Sequence, residues 1–321
     1  MGIIEINPYS IKDIQNGFLN VFNSQTYINM NQAFNAIKET SLQNWETKNQ
    51  TILTNKIILL WSWDTLGTPV VWCNCTICKK EIRTRFWIYI QYQWTKILID
   101  TNPDIKQQFL QNHLDFKDID YIFITHTHTD HINGLWEFNF RKKIKLFHPN
   151  DEINTRNMKY FDYLEREGVI KKIPYINFET IKINEKIKVI PVTLNHWFPT
   201  SWFIIYLDSI KIGIMSDTNL QLDERTMQQY QDCDYLFIDG FSENLEQVQH
   251  LYEQIWEKHT QQEIQDMWYH TTIQEINEKK EKFHCKKIII VHISHIAWSH
   301  HNLQEKYQDF IIGKDGLEFM L

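Results

Sequence analysis

The chain contains few glycines, 9 among 321 residues. No glycine-rich stretch follows any of its apolar runs, although a loop that wraps phosphates with backbone amides needs several glycines together. A phosphate-binding loop of that type is therefore excluded. Excess positive charge is also lacking, since 33 lysines and arginines stand against 40 acidic residues and give a formal net charge of −7. This balance argues against a general binder of nucleic acid.

Long apolar runs and a disulfide framework are absent as well. No apolar run approaches the roughly 18 residues that a membrane span needs, and no basic start followed by an apolar core opens the sequence. Only five cysteines occur, three of them clustered, unlike the paired cysteines of small secreted domains. We therefore expect a cytoplasmic protein with reduced thiols and no membrane contact.

The chain divides into two regions of different pattern. Residues 1–52 place Ile14, Phe18 and Phe22 on one helical face and predict a short helical N-terminal extension. Residues 53–321 mix short β-rich runs with helical segments, which favours an α/β or α+β sandwich. Strands are predicted in KIILLWSW, RFWIYIQY, TKILID, YIFIT, KIKLFH, IKVIPVTL, WFIIYLD, IKIGIMSD, YLFIDG and KIIIVHIS, and helices over 104–112, 133–139, 151–166, 222–231, 243–261 and 271–283.

What the sequence does have is a dense group of ligand-type side chains. The stretch FITHTHTDHINGL, residues 123–135, carries His126, His128, Asp130 and His131 directly after an apolar run. His126 and His128 share one face of an extended segment because they are two residues apart. Other ligand-type residues end further predicted strands: His196, Asp217, His292 and His295. Histidine nitrogen with carboxylate oxygen predicts a site for Zn(II), Mn(II) or Fe(II).

The H-x-H-x-D-H order resembles the signature of the metallo-β-lactamase fold superfamily, over about residues 56–321. Within it, VTLNHWFPTSWFIIYL, IMSDTNLQLDERT, VHISH and GKDGLEFML resemble stretches of the phosphoribosyl 1,2-cyclic phosphate phosphodiesterases of bacterial phosphonate breakdown. The resemblance implies a four-layer αββα sandwich of class α/β, with a dinuclear metal site on one edge. By this resemblance His126, His128 and His196 hold one Mn or Zn ion, Asp130, His131 and His292 hold the other, and Asp217 bridges both.

The same resemblance implies a phosphodiesterase that acts on a small cyclic phosphate ester. Asp130 and Asp217 would help to hold a metal-bridging hydroxide that attacks phosphorus. His270 is the candidate proton donor for the leaving sugar oxygen, since its spacing to His292 matches a catalytic histidine of the resembled enzymes. Asp100, which ends KILID, is expected to hydrogen-bond a ligand imidazole and fix its tautomer.

A second group of ligand-type residues is Cys73, Cys75 and Cys78, spaced C-x-C-x-x-C. Three thiolates need a fourth ligand to close a tetrahedral zinc site, and the resemblance supplies His295. The expectation is one structural zinc; the alternative is a set of merely buried or redox-active thiols. Cys233 and Cys285 are isolated in the sequence and are interpreted as core thiols.

The chain departs from the resembled enzymes in one loop. WSWDTLGTP stands where the family usually carries a glycine-rich loop, and Trp61 and Trp63 occupy positions where small residues would let substrate come close. The natural substrate is therefore left open. The alternatives are a tRNA 3′-processing endonuclease, a thioesterase or lactonase, a relative serving quinone-cofactor biosynthesis, and a non-catalytic metal-binding protein. As partners we expect a small-molecule phosphate ester and no nucleic acid, with a homodimer as the candidate assembly.

Overall fold

Two seven-stranded sheets form the framework of the computed structural model, which describes residues 54–62, 64–140, 142–255, 263–264 and 269–321. Residues 54–321 form one compact unit. The predicted helical extension over 1–52 lies outside the described residues, and so does Trp63. In the described part, no helix has both the length and the apolar character that crossing a membrane requires.

The first sheet has the strand order β14-β1-β2-β3-β4-β5-β6. Its strands are β1 (Lys56–Trp61), β2 (Trp87–Tyr92), β3 (Thr95–Ile99), β4 (Tyr121–Phe123), β5 (Ile144–Pro149), β6 (Ile170–Tyr175) and β14 (Leu317–Met320). Strands β3 to β6 run parallel, and the pairs on the other side of β3 are antiparallel. The parallel half brings the carboxyl ends of its strands to one edge.

The second sheet repeats this arrangement with the order β13-β12-β11-β10-β9-β8-β7. It consists of β7 (Ile181–Lys182), β8 (Ile187–Leu194), β9 (Thr200–Leu207), β10 (Ile210–Met215), β11 (Tyr235–Asp239), β12 (Ile288–Val291) and β13 (Ile311–Ile312). Strands β10 to β13 are parallel, whereas β7 to β10 are antiparallel.

Nine α-helices lie within the described residues. They are α1 (Thr76–Lys80), α2 (Ile105–Gln111), α3 (Thr129–Ile132), α4 (Glu152–Met158), α5 (Asp162–Arg166), α6 (Glu224–Gln229), α7 (Leu245–Ile255), α8 (Ile273–Lys279) and α9 (His300–Lys306). Local caps start several of them: the side chain of Asp151 accepts from the N–H of Asn154 at α4, and Thr272 accepts from that of Glu275 at α8. Such caps satisfy amides that have no partner inside the helix.

Side chains along β1 point alternately to the two faces of the first sheet and so join it to both neighbouring layers. Ile57 and Leu59 join the core cluster that includes the second sheet, whereas Ile58 and Leu60 join the cluster around α2. All four are fully buried, and each such side chain contributes about 1.5–3 kcal/mol of burial free energy. The two sheets and their flanking helices form the α/β sandwich of the metallo-β-lactamase type that the resemblance implied.

The predicted helices differ from the structure mainly in length and continuity. All ten predicted strands are present. The helix predicted over 133–139 is a 3₁₀ turn at Asn133–Glu137, and the one over 151–166 is interrupted by a 3₁₀ turn at Lys159–Phe161. The helix predicted over 243–261 is described only as far as Ile255.

Candidate metal centre

The predicted ligands gather at the edge where parallel strands of both sheets end. His126 and His128 follow β4, with Asp130 and His131 on α3, His196 follows β8, Asp217 follows β10, and His292 follows β12. Loops at the carboxyl ends of parallel strands are where α/β proteins commonly bind ligands. The fold thus brings together residues that are far apart in the sequence.

Strained turns direct several of these side chains. Asp100, Asp217 and His292 have φ values of 62°, 48° and 58°, in the left-handed region that non-glycine residues rarely adopt. Each such residue costs on the order of 1–3 kcal/mol. Since each stands directly at the end of a strand, the turn aims a functional side chain into the site rather than along the sheet.

The first group of donors is formed by His126, His128 and His196, whose ligand atoms lie within 4.8 Å of one another. His126 Nε2 and His128 Nδ1 are 2.9 Å apart. The buried atoms His128 Nε2 and His196 Nδ1 have no hydrogen-bond partner among the described residues, which is unusual for buried polar atoms. Burial lowers the pKa of His196 to about 3 and that of His126 well below its ordinary value. These rings are therefore neutral, the form in which imidazole binds a metal.

The second group is centred on Asp217. His292 Nε2 lies 3.3 Å from Asp217 Oδ1, and His131 Nε2 lies 3.6 Å from Asp217 Oδ2. Asp130 Oδ2 is 3.5 Å from the same nitrogen of His131. Asp217, His270 and His292 also offer ligand atoms within 4.8 Å of one another. The structure thus brings all seven predicted ligands together and places His270, the predicted proton donor, beside them.

Charge in the second group also fits a cation. Burial lowers the pKa of both His131 and His292, but nearby carboxylates outweigh burial and raise these pKa values to about 9 and about 10. Asp130 and Asp217 act on His131, and Asp217 and Asp239 act on His292. Without metal, the protons on these rings balance buried negative charge. A divalent ion satisfies the same carboxylates when it replaces those protons.

Two buried carboxylates hold the imidazoles from behind. Asp100 Oδ2 lies 2.9 Å from His131 Nδ1, and the predicted hydrogen bond to an imidazole is therefore present. Asp239 Oδ2 lies 2.8 Å from His270 Nδ1 and 3.6 Å from His292 Nδ1. Both carboxylates are fully buried. Such partners fix the tautomer and orientation of a metal-binding histidine.

Asp239 was missed by the sequence analysis, although a signal for it exists. Asp239 is the last residue of the strand YLFID. In the same way, Asp100 directly follows TKILI and Asp217 lies two residues after IKIGIM. An aspartate at the end of an apolar run was therefore a recurring pattern. Its pKa is lowered because the charges of His270 and His292 outweigh burial.

Asn154 links two of the ligand-bearing loops. Its Oδ1 accepts hydrogen bonds from the N–H and Oγ1 of Thr127, at 2.7 and 2.8 Å, between the first two histidines of the motif. Its Nδ2 donates to the carbonyl oxygen of Pro199 at 2.9 Å, just after His196. Because Asn154 is fully buried, these bonds fix the distance between the two loops.

The predicted cysteine cluster also assembles. Cys73, Cys75, Cys78 and His295 offer ligand atoms within 4.8 Å of one another. His295 Nδ1 lies 3.5 Å from Cys73 Sγ and 3.8 Å from Cys75 Sγ. With zinc bonds of about 2.3 Å to sulfur and about 2.0 Å to nitrogen, tetrahedral geometry separates the two atoms by about 3.5 Å. The donor set and its spacing therefore fit a closed zinc site.

Electrostatics favours thiolate at one member of this cluster. Burial raises the pKa of Cys75, but the N–H of Cys78 and the His295 ring outweigh burial and lower it to about 6. Cys78 is more enclosed, and burial raises its pKa to about 12. A metal ion would deprotonate both, since thiolate is the ligand form.

Of the tryptophan loop, Trp63 and the side chain of Trp61 lie outside the described residues. A different tryptophan, Trp197, borders the site: its ring centroid is 4.6 Å from that of His128, and the side chain is 66% exposed. No role for Trp197 was predicted from the sequence.

Comparison with known proteins agrees with this architecture. The family model described as the beta-lactamase superfamily domain matches residues 95–293. The solved structure of a diphosphatase of the PhnP family is similar with a TM-score of 0.66 at 22% identity, covering 83% of this chain and 97% of that one. Zinc-bound PqqB from Methylobacterium extorquens gives 0.69 at 17% identity over 83% and 100%. Human tRNase Z, short form, gives 0.59 at 15% identity over 82% and 98%.

One curated relative matches over a shorter stretch. An octanoyltransferase of Porphyromonas gingivalis (strain ATCC BAA-308 / W83) is 40% identical over 85 residues, which is 25% of this chain and 17% of that protein. The chain therefore spans less than a fifth of that relative.

The fold is of the metallo-β-lactamase type, and its ligand-type side chains gather where they could hold metal ions. The chain belongs to the beta-lactamase superfamily.

Proposed function

We propose that the protein is a metal-dependent phosphodiesterase that hydrolyses a small cyclic phosphate ester resembling phosphoribosyl 1,2-cyclic phosphate. The observation that carries this proposal is the position of Asp217, between His131 and His292 and beside the group of His126 and His196. One carboxylate that faces histidines of both groups is what a pair of neighbouring ions requires. The sequence resemblance supplies the substrate class.

In this proposal two Mn or Zn ions occupy the centre. His126, His128 and His196 would hold one, Asp130, His131 and His292 would hold the other, and Asp217 would serve both. Bound ions of this kind supply a nucleophilic water at neutral pH and polarise the phosphoryl oxygen. Within the described part of the chain, His128 Nε2, His196 Nδ1 and Asp217 Oδ2 have no hydrogen-bond partner although they are buried, and this supports the assignment.

His270 is the proposed proton donor to the leaving sugar oxygen. Its ring stacks at 5.0 Å on that of His292, so it faces the same space as the ligands. Asp239 accepts a hydrogen bond from Nδ1 at 2.8 Å. In this role Nε2, the other ring nitrogen, would deliver the proton to the leaving oxygen.

We assign the cysteine cluster to one structural zinc. The three sulfurs and His295 would fill all four positions of a tetrahedral ion and leave none open for substrate. The site joins the loop around α1 to the segment after β12. Its proposed role is to fix that segment, which also carries His292.

The proposal is tested by Mn(II)-supported hydrolysis of phosphoribosyl 1,2-cyclic phosphate, followed by phosphorus NMR. Ring opening by the wild type and its loss in Asp217→Asn is the expected result. Asp208→Asn, in the turn between β9 and β10 at the opposite edge, is the matched control and should retain activity.

Two other outcomes would change the assignment. Turnover of bis(p-nitrophenyl) phosphate without ring opening would retain the diesterase and reject the ribosyl substrate. Cleavage of a precursor tRNA, with neither small diester hydrolysed, would favour the endonuclease alternative despite the net charge of −7.

A further inference from the structure

Two cysteines outside both candidate metal sites lie close together at the edge of the second sheet opposite the candidate metal centre. Cys233 lies in the turn before β11 and Cys285 in the turn before β12, at the amino ends of these parallel strands. Each Sγ lies 3.4 Å from the carbonyl oxygen of Tyr230. Because both sulfurs contact the same oxygen, the two thiols are close neighbours. Although isolated in the sequence, they are neighbours in the fold.

Backbone hydrogen bonds hold the two turns side by side. Asp232 N donates to the carbonyl oxygen of Phe283 at 2.8 Å, and Lys286 N donates to that of Cys233 at 2.9 Å. These bonds flank the thiol pair and keep the two chain segments close, as a disulfide requires. Gly213 on β10 leaves the space for one thiol, since a Cβ there would lie 2.9 Å from Cys233 Sγ.

The two thiols differ in access and acidity. Cys233 is fully buried, whereas Cys285 is half-buried. The hydrogen bond from Cys233 lowers the pKa of Cys285, and the charge of Lys211 lowers it further. The same contact raises the pKa of Cys233. The more accessible sulfur, that of Cys285, is thus the better nucleophile.

We propose that Cys233 and Cys285 form a modification site, which hydrogen peroxide and related two-electron oxidants convert into an intramolecular disulfide. The Cys285 thiolate attacks a peroxide oxygen: an S–O bond forms, the O–O bond breaks, and hydroxide takes up the proton that Cys285 released and leaves as water. Cys233 sulfur then attacks Cys285 sulfur. The S–S bond forms, the S–O bond breaks, and the departing hydroxide leaves as water with the Cys233 proton. Two thiols are oxidised and one peroxide is reduced.

The bond would close a long loop. The segment between the two cysteines contains α7, His270 and α8. Cross-linking the ends of such a loop reduces the entropy of the unfolded chain. For a chain of this size the expected consequence is a rise in Tm of about 5–15 °C.

The experiment uses the full chain loaded with zinc and manganese, treated with a small excess of hydrogen peroxide. Digestion without reductant and mass spectrometry should show the Cys233 and Cys285 peptides joined, with the link removed by dithiothreitol. The Tm should rise in the wild type but not in Cys285→Ser. Cys233→Ala is a second control, and the wild-type peptide result stands even if that variant unfolds.

Either of two results would overturn the proposal. One is oxidation of Cys285 to the sulfinic acid without a link to Cys233. The other is recovery of both thiols unmodified while free peroxide is still consumed. Because the readout is a covalent bond, its outcome does not depend on the phosphodiesterase activity.

Discussion

Asp100→Asn should weaken metal binding by about 10- to 100-fold, the usual cost of losing a partner behind a ligand imidazole. The carboxylate is fully buried and accepts three hydrogen bonds. They come from the N–H of Thr125 at 2.6 Å, its Oγ1 at 2.7 Å, and His131 Nδ1 at 2.9 Å. Asparagine keeps the shape but places an NH₂ group where an acceptor stood. His131 then loses the bond that fixes its tautomer.

The magnitude follows from that contact. A hydrogen bond to a charged group contributes about 1.5–3 kcal/mol, and a 10- to 100-fold change in affinity corresponds to about 1.4–2.7 kcal/mol. The two figures agree, so loss of one charge-assisted bond accounts for the whole expected effect. Most of the change should appear at the ion that His131 would hold in the proposed centre.

Isothermal titration of the metal-free protein with Mn(II) measures this directly. Asp208→Asn is again the matched control, since it removes one carboxylate without touching the centre. Circular dichroism would verify that the variant is folded. A folded Asp100→Asn protein with metal affinity within about twofold of the wild type would refute the role given to Asp100.

Three further predictions follow from the packing and the charges. Asn154→Ala removes the acceptor of two hydrogen bonds from Thr127 and leaves buried polar groups unpaired. Because each such group costs about 1–3 kcal/mol, the free energy of unfolding measured in urea should fall by about 3 kcal/mol. Gly134→Ala places a Cβ 2.1 Å from the carbonyl oxygen of Asn102; it should destabilise by about 3 kcal/mol or more. Gly168→Ala, with open space and a φ of +73°, should cost only about 1 kcal/mol. Burial raises the pKa of Asp315 to about 7 from an ordinary 3.8. The folded state therefore binds more protons, and stability falls as pH rises from about 4 to about 7, by at most about 4 kcal/mol. Urea midpoints should show that fall in the wild type and not in Asp315→Asn. If the urea midpoint falls equally with pH in the wild type and in Asp315→Asn, the role given to Asp315 is contradicted. If Gly134→Ala and Gly168→Ala have equal urea midpoints, the steric argument for Gly134 is contradicted.

The strands were predictable because most are long apolar runs between turns. The four that were missed lack that signal. β6 reads IKKIPY, in which two lysines and a proline interrupt the run, as is typical of an edge strand. β7 and β13 are two residues each, and β14 reads LEFM with two exposed residues. Tertiary pairing, not local pattern, defines such strands.

The candidate metal centre was predictable where the spacing of ligand-type residues in the sequence is itself the signal. The H-x-H-x-D-H motif places four ligand-type side chains within one turn, and C-x-C-x-x-C places three thiols in one loop. Asp239 could not be assigned from sequence because its role depends on the approach of His270 from a distant segment. The pairing of Cys233 with Cys285 was missed for the same reason, since only the register of β11 and β12 brings them together.

The most direct test of the central assignment is anomalous X-ray diffraction from crystals grown with Mn(II). The account predicts two manganese peaks a few ångströms apart on either side of Asp217, one near His196 and one near His292. It also predicts a zinc peak among the three clustered cysteines. A single manganese peak, or none at Asp217, would contradict the dinuclear centre.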